Sequence, residues 1–314
     1  MDGEPVIGTR WSATRRFAGY GAASTLSLYL LVKIIWVVAA LSGHGSKISG
    51  ADWLLLNVVT VGMAVIGIAL AMALARPWGF KIPAGPLVLV AWVGAGFLVP
   101  MIPFMLLSTA LSGSGGGDDG DAMPVWEGIF ISIGFVGMAV GLAIALPIYM
   151  LERFPRVFQG RLDDGRTAPP RNLPLVRVAM AVSVALGVLW LSWAFGGTFG
   201  FDTGRGDPLD RNAKLLMGTW GTGALVAAWS VHLISRRRSP RLRRWVPTVL
   251  AFAASGSLFA WNSWKLPLTL LSPGDYEPRE YPAVALIEYV LAIGAGLILL
   301  TALLRAQRPA RHTS

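Results

Sequence analysis

The chain has 314 residues, of which 54% are hydrophobic and 14% are charged, and its formal net charge is +10. Soluble domains carry about 25% charged residues, so this composition favours an integral membrane protein. The chain has no cysteine, which excludes disulfides, iron–sulfur clusters and a cysteine nucleophile. Its three histidines include no pair at helical spacing, so the motifs that hold haem or catalytic zinc are missing too.

Apolar stretches long enough to cross a bilayer follow one another along the whole chain. A spanning helix needs about 20 mostly apolar residues. Eight stretches meet that length: 17–41, 52–75, 83–111, 125–151, 175–197, 213–235, 246–271 and 283–305. The first is too long for the apolar core of a signal peptide, so we expect it to be an uncleaved helix. The predicted fold is an all-α polytopic transmembrane bundle of about eight spans.

Positive charge alternates between the two ends of these stretches. One side of the predicted membrane holds 20 of the 27 lysines and arginines, the other side holds five, and two lie within spans. Cytoplasmic loops carry the excess of basic residues, so we expect both termini in the cytoplasm of a plasma-membrane protein. We expect the protein to contact the bilayer, and arginine-rich loops such as 236–244 to bind its anionic lipids. We do not expect these basic residues to bind nucleic acid.

Two halves of the chain match each other at an offset of 161 residues. Under this offset Arg16 falls on Arg177, Pro86 falls on Pro247, and Glu127 falls on Glu288. Apolar matches are common in any membrane sequence, whereas matched Arg, Pro and Glu are less so. We predict two parallel four-helix repeats, 1–151 and 175–314, joined by a cytoplasmic linker, 152–174.

Four ionisable residues lie inside the predicted spans, all toward the predicted outer side. Such residues are costly in a membrane and commonly functional. With the polar helix around Asn262, they predict an outward-facing polar site between the two halves. Snorkelling of the lysines to the interface, and contact of Glu127 with water, would explain them without a site. The predicted substrate-binding residues are Lys33, Glu127, Asn262, Lys265 and Glu288.

Further features of the spans have structural interpretations beside functional ones. Four tryptophans near the outer ends are typical of an aromatic belt: Trp190, Trp193, Trp261 and Trp264. Three prolines are expected to kink their helices: Pro100, Pro103 and Pro267. Small residues predict faces of close helix packing: Gly137, Gly141, Gly294 and Gly296. The serines near Asn262 fit either a ligand surface or hydrogen bonding between helices.

A weak family likeness accompanies these patterns. The bias toward Ala, Gly and Arg, with Arg76-Pro-Trp-Gly79 and Leu87-Val-Leu-Val-Ala-Trp-Val-Gly94, resembles uncharacterised multi-pass membrane proteins of high-GC actinobacteria. The resemblance implies a membrane protein and contributes no site residues.

The sequence therefore leaves two functional hypotheses. The first is a small-molecule transporter or permease-like protein with its site between the two halves. The second is a non-transporting accessory, resistance or sensing module, and a membrane enzyme is less favoured because no catalytic motif is present. We predict no cofactor and no metal. A small-molecule ligand, a homo-oligomer and a membrane partner subunit remain open as partners.

Overall fold

The computed structural model of the chain describes residues 9–42, 51–112, 124–155, 173–202, 209–236, 243–272 and 278–306. Within these ranges the chain is almost entirely helical, as the long apolar stretches predict. The α-helices are α1 (Thr9–Leu41), α2 (Ala51–Ala75), α3 (Ala84–Leu98), α4 (Met101–Ser112), α5 (Val125–Arg153), α6 (Leu173–Ala194), α7 (Arg211–Arg236), α8 (Trp245–Leu271) and α9 (Pro282–Ala306). A short 3₁₀ helix, Pro77–Lys81, follows α2.

Six helical segments of the described chain are long and apolar enough to cross a membrane. They are Thr9–Leu41, Leu54–Ala75, Ala84–Leu111, Trp126–Arg153, Pro174–Ala194 and Pro282–Ala306. This confirms the predicted all-helical fold, and the six apolar helices are compatible with the predicted membrane protein. The other two predicted spans form the long helices α7 and α8, which do not belong to this set of six.

The predicted span 83–111 is broken into two helices. Helix α3 ends at Leu98 and α4 begins at Met101, with Pro100 between them and Pro103 in the first turn of α4. A proline has no N–H to donate and its ring crowds the preceding turn, so an uninterrupted α-helix is costly here. The predicted kink at Pro100 is thus a two-residue turn between α3 and α4, whereas α8 continues through Pro267.

The chain forms two compact units. The first comprises Met1–Ala91, Thr109–Arg153 and Ser272–Tyr276. Within it α1 packs against both α2 and α5. A Cβ atom at Gly137 would collide with the side chain of Thr25, and one at Gly141 would collide with Ala22. The predicted close-packing face of this helix is therefore confirmed.

The second unit comprises Trp92–Ser108, Phe154–Leu271 and Glu277–Ser314. Its helices form a ring in which α6 contacts α7, α7 contacts α8, α8 contacts α9, and α9 contacts α6. The segment Trp92–Ser108 lies on α8, where a Cβ at Gly96 would collide with the backbone of Gly256 and the Trp92 indole donates to Ser255 Oγ at 3.0 Å. Gly296 packs closely on Ser255, whereas Gly294 faces open space. The halves predicted from the repeat remain a prediction.

The connection after α6 is folded, although the sequence suggested only the end of a span. Phe201 forms an isolated antiparallel bridge with Glu280, and the Tyr281 N–H donates to the Gly200 carbonyl at 2.9 Å. Gly200 has a φ of +85°, a backbone conformation that residues with a Cβ atom rarely adopt. The Trp193 ring lies 4.8 Å from that of Phe201. This connection therefore ties the ends of α6 and α9 together.

Candidate functional site

Three helices of the second unit surround the ammonium group of Lys265. The Nζ atom of Lys265, on α8, lies 4.2 Å from the centre of the Trp220 ring on α7. It also lies 5.4 Å from the centre of the Tyr289 ring on α9. Aromatic faces attract cations most strongly where water is scarce. The two rings therefore compensate part of the cost of holding this charge inside the helix ring.

Glu288, on α9, is the most deeply buried acid among the described residues, with 2% of its surface exposed. Its Oε2 atom accepts a hydrogen bond from Trp190 Nε1 at 3.2 Å, while its Oε1 atom is buried without a hydrogen-bond partner. Glu288 interacts electrostatically with Lys265 and with Glu280. Glu288 itself forms no ion pair within 4.0 Å with a described residue. One carboxylate oxygen thus remains open to a donor.

Other buried polar atoms near this cluster also lack partners. The Nδ2 group of Asn262 donates to the Leu258 carbonyl at 2.8 Å, but its Oδ1 atom has no donor among the described residues. Asn262 is one helical turn from Lys265 and so lies on the same face of α8. The indole N–H groups of Trp220 and Trp261 are likewise unpartnered within the described chain. Buried polar atoms are normally hydrogen-bonded, so each such atom needs an explanation.

The first unit contains a comparable cluster around Lys33. Lys33 Nζ donates to Asn57 Oδ1 at 2.9 Å and lies 4.2 Å from the centre of the Trp36 ring. The Trp36 indole donates to Glu127 Oε2 at 2.9 Å. Glu127 is 8% exposed, so the interpretation that it contacts water is wrong. Lys33 turns toward Asn57 and Trp36, which also argues against snorkelling to the interface.

The predicted site residues therefore divide between the two units. Lys33 and Glu127 share Trp36 in the first unit, whereas Asn262, Lys265 and Glu288 belong to the second. In both clusters an indole donates to the glutamate and an aromatic face lies beneath the lysine. The glutamates match under the 161-residue offset, but Lys33 falls on Ala194 and not on Lys265. The two lysines thus come from different helix positions.

The predicted aromatic belt is wrong for two of its four tryptophans. Trp190 is 2% exposed and Trp193 is fully buried. Trp190 donates to Glu288, and Trp193 donates to the Phe199 carbonyl at 2.8 Å. A belt residue would place its ring at the surface of the bundle. Here the indole N–H has an internal acceptor instead, and that pairing is not visible in the spacing of tryptophans.

An ion pair at the opposite end of the first unit was also missed. Arg15 is 3% exposed, forms a 2.9 Å ion pair with Glu152, and donates to the Leu74 carbonyl. Its guanidinium also lies over the ring of Phe80 at 5.2 Å. The sequence placed Arg15 among the arginines that face lipid head groups. Arg15 is the seventh residue of α1, which begins at Thr9, whereas the first predicted span begins only at residue 17.

The second unit also contains a cavity of about 890 Å³. The broken segment Trp92–Ser108 forms one wall, and α6, α7 and α8 form the others. The lining is mostly apolar, with Arg211, Lys214 and the hydroxyls of Thr219, Thr222 and Ser257 as its polar groups. None of the five predicted site residues lines it.

Comparison with known proteins adds no likeness to this geometry. No protein-family model, no curated protein and no solved structure matches the chain. Within the described ranges no three His, Asp or Glu residues stand close enough to hold a metal ion. The lysine, the carboxylate and the unpartnered polar atoms of the second unit are therefore the chemistry from which a function can be argued.

Proposed function

We propose that the protein is a small-molecule transporter or permease-like protein of the plasma membrane, with its substrate site at the Lys265–Glu288 cluster of the second unit. The single observation behind the proposal is a buried carboxylate, Glu288, with one oxygen unpartnered, which interacts electrostatically with the half-buried ammonium of Lys265. An unmatched polar atom in a membrane interior is costly unless something donates to it. A passing substrate would supply that donor.

The proposal uses eight spans with both termini in the cytoplasm, so that α7 and α8 also cross the bilayer. At 26 and 27 residues they are about 40 Å long at the helical rise, longer than a hydrocarbon core of about 30 Å. On α8 the polar residues Ser255, Ser257 and Asn262 are all buried, so they do not require contact with lipid. This topology places the cluster toward the outer side of the membrane.

The unpartnered atoms define the class of substrate. Glu288 Oε1 and Asn262 Oδ1 accept hydrogen bonds, whereas the indoles of Trp220 and Trp261 donate them. A small polar molecule with both donor and acceptor groups would satisfy atoms of both kinds. A cationic donor is favoured at the carboxylate, because charge-assisted hydrogen bonds are stronger than neutral ones.

A non-transporting membrane module remains the alternative, and one observation favours it. Lys265 already lies over two aromatic rings, and Glu288 already accepts from Trp190. A cluster satisfied in this way would hold four helices together, namely α6, α7, α8 and α9. The alternative predicts that neutral substitutions change the stability of the protein and leave permeability untouched.

Reconstitution of the full chain in liposomes tests the proposal. Uptake of radiolabelled methylammonium, ethanolamine and guanidinium would be measured for the unaltered protein and for Glu288→Gln and Lys265→Met. We expect each substitution to lower uptake by roughly tenfold or more, since a hydrogen bond to a charged group contributes about 1.5–3 kcal/mol.

Glu127→Gln is the matched control, because it removes a buried carboxylate that also accepts from an indole, but in the first unit. Uptake by Glu127→Gln close to that of the unaltered protein would assign the site to the second unit. The proposal fails if the unaltered protein transports none of the three probes. It fails equally if both second-unit variants fold and transport as the unaltered protein does.

A further inference from the structure

The cavity of the second unit has the features of a site for an amphiphile. Its volume of about 890 Å³ is in the range of pockets that hold small ligands. Leucine, valine, alanine and proline side chains form most of its walls, including Val99, Pro103 and Val226. Such walls match a hydrocarbon chain and offer little to a polar solute.

The charged groups at the cavity are both positive. Arg211 and Lys214 lie one turn apart at the start of α7, and none of the described residues that line the cavity is acidic. Asp210 directly precedes Arg211 in the sequence, and its Oδ1 atom accepts a hydrogen bond from the Ala213 N–H at 2.6 Å. Neither cation forms an ion pair with a described residue. A ligand with a negative head group would complement them.

The cavity also reaches the outer surface of the helices. Leu107 and Leu250, which line it, are 45% and 37% exposed. On a membrane-spanning bundle an exposed leucine faces lipid, so the cavity is bordered by side chains that acyl chains would contact. Gly223 lines the same cavity, and a Cβ atom there would meet nothing within 4 Å.

We propose that this cavity binds an anionic membrane phospholipid, with an acyl chain between the Trp92–Ser108 segment, α7 and α8, and with the phosphate at Arg211 and Lys214. The site is separate from the Lys265–Glu288 cluster and goes beyond the proposed transport function. It also differs from the arginine-rich loops at which the sequence predicts lipid contact, because both cations lie at the other end of α7. The occupant is a lipid of the bilayer that enters sideways.

Lipid retention by the purified full chain tests this assignment. The protein in a neutral maltoside detergent would be titrated with phosphatidylglycerol or with phosphatidylcholine of the same acyl chains, and bound lipid counted by native mass spectrometry. We expect phosphatidylglycerol to be retained at least about tenfold more strongly, and Arg211→Gln with Lys214→Gln to remove that preference. Arg279→Gln, an exposed cation on the same predicted side but outside the cavity, should retain it.

A pair of glycine variants tests the acyl-chain part of the site. Gly223→Trp places a large ring in the cavity, whereas Gly294→Trp places one in open space on α9 away from it. We expect loss of phosphatidylglycerol only in the first. Equal retention by the two variants would overturn the proposal, as would equal retention of both lipids by the unaltered protein. Loss of the preference in Arg279→Gln would overturn it as well. Retention does not depend on transport, so the two proposals fail independently.

Discussion

The buried ion pair between Arg15 and Glu152 allows a sharp test of the first unit. Replacing Arg15 by Met leaves the carboxylate of Glu152 without its partner and the Leu74 carbonyl without a donor. Water has little access to this ion pair, since the Arg15 side chain is 3% exposed and the Glu152 side chain is 16% exposed. Removal of one partner from a buried pair costs about 3–5 kcal/mol. We expect the free energy of unfolding to fall by that amount.

The assay is thermal unfolding in mild detergent, followed by circular dichroism at 222 nm. The matched control is Arg16→Met, the exposed neighbour, for which we expect a change within about 0.5 kcal/mol. The double variant Arg15→Met with Glu152→Met removes both charges and should be more stable than Arg15→Met alone. Equal melting temperatures for Arg15→Met and Arg16→Met would refute the conclusion that the ion pair stabilises this unit.

The remaining predictions concern packing, the indole–carboxylate bond and topology. Gly96→Val should lower the free energy of unfolding by about 1–3 kcal/mol, because the new side chain meets the backbone of Gly256. The control, Gly294→Val, places its side chain in open space and should lower the free energy of unfolding far less. The melting temperatures of the two variants test this difference. Trp190→Phe should cost about 1–3 kcal/mol by leaving Glu288 Oε2 without its donor, and unfolding in detergent checks it. The chain has no cysteine, so single cysteines report topology: an impermeant maleimide should label Thr198→Cys in intact cells and Ser239→Cys only after permeabilisation. The reverse pattern would contradict the proposed orientation.

The helical fold could be predicted from composition because each apolar stretch exceeds the length of a bilayer crossing. The break near Pro100 was also predictable, since it depends on one residue type. The partners of Arg15, Glu127 and Trp190 could not be predicted, because each contact joins residues that are far apart in the sequence. The separation is 59 residues between Arg15 and Leu74, and 98 residues between Trp190 and Glu288. Hydropathy reports how apolar a segment is, not which helix its polar side chains meet.

The candidate site shows the same limit in finer detail. Intramembrane charge pointed to Lys265 and Glu288, and these two residues interact electrostatically within the second unit. The cation–ring contacts of Trp220 and Tyr289 were missed because both residues are unremarkable in an apolar sequence. The predicted grouping of Lys33 with Lys265 and Glu288 depended on an arrangement of the two halves that the spacing of residues cannot supply.

The interruption at Pro100 has a mechanical consequence for the third apolar stretch. The part before the break is fixed to α8 by the Gly96–Gly256 contact and by the Trp92–Ser255 hydrogen bond. Pro100 and Pro103 cannot donate helical hydrogen bonds, so fewer backbone hydrogen bonds join α3 to α4 than an uninterrupted helix would have. Pro100 and Pro103 also line the cavity, so this weakened junction lies in one of the cavity walls.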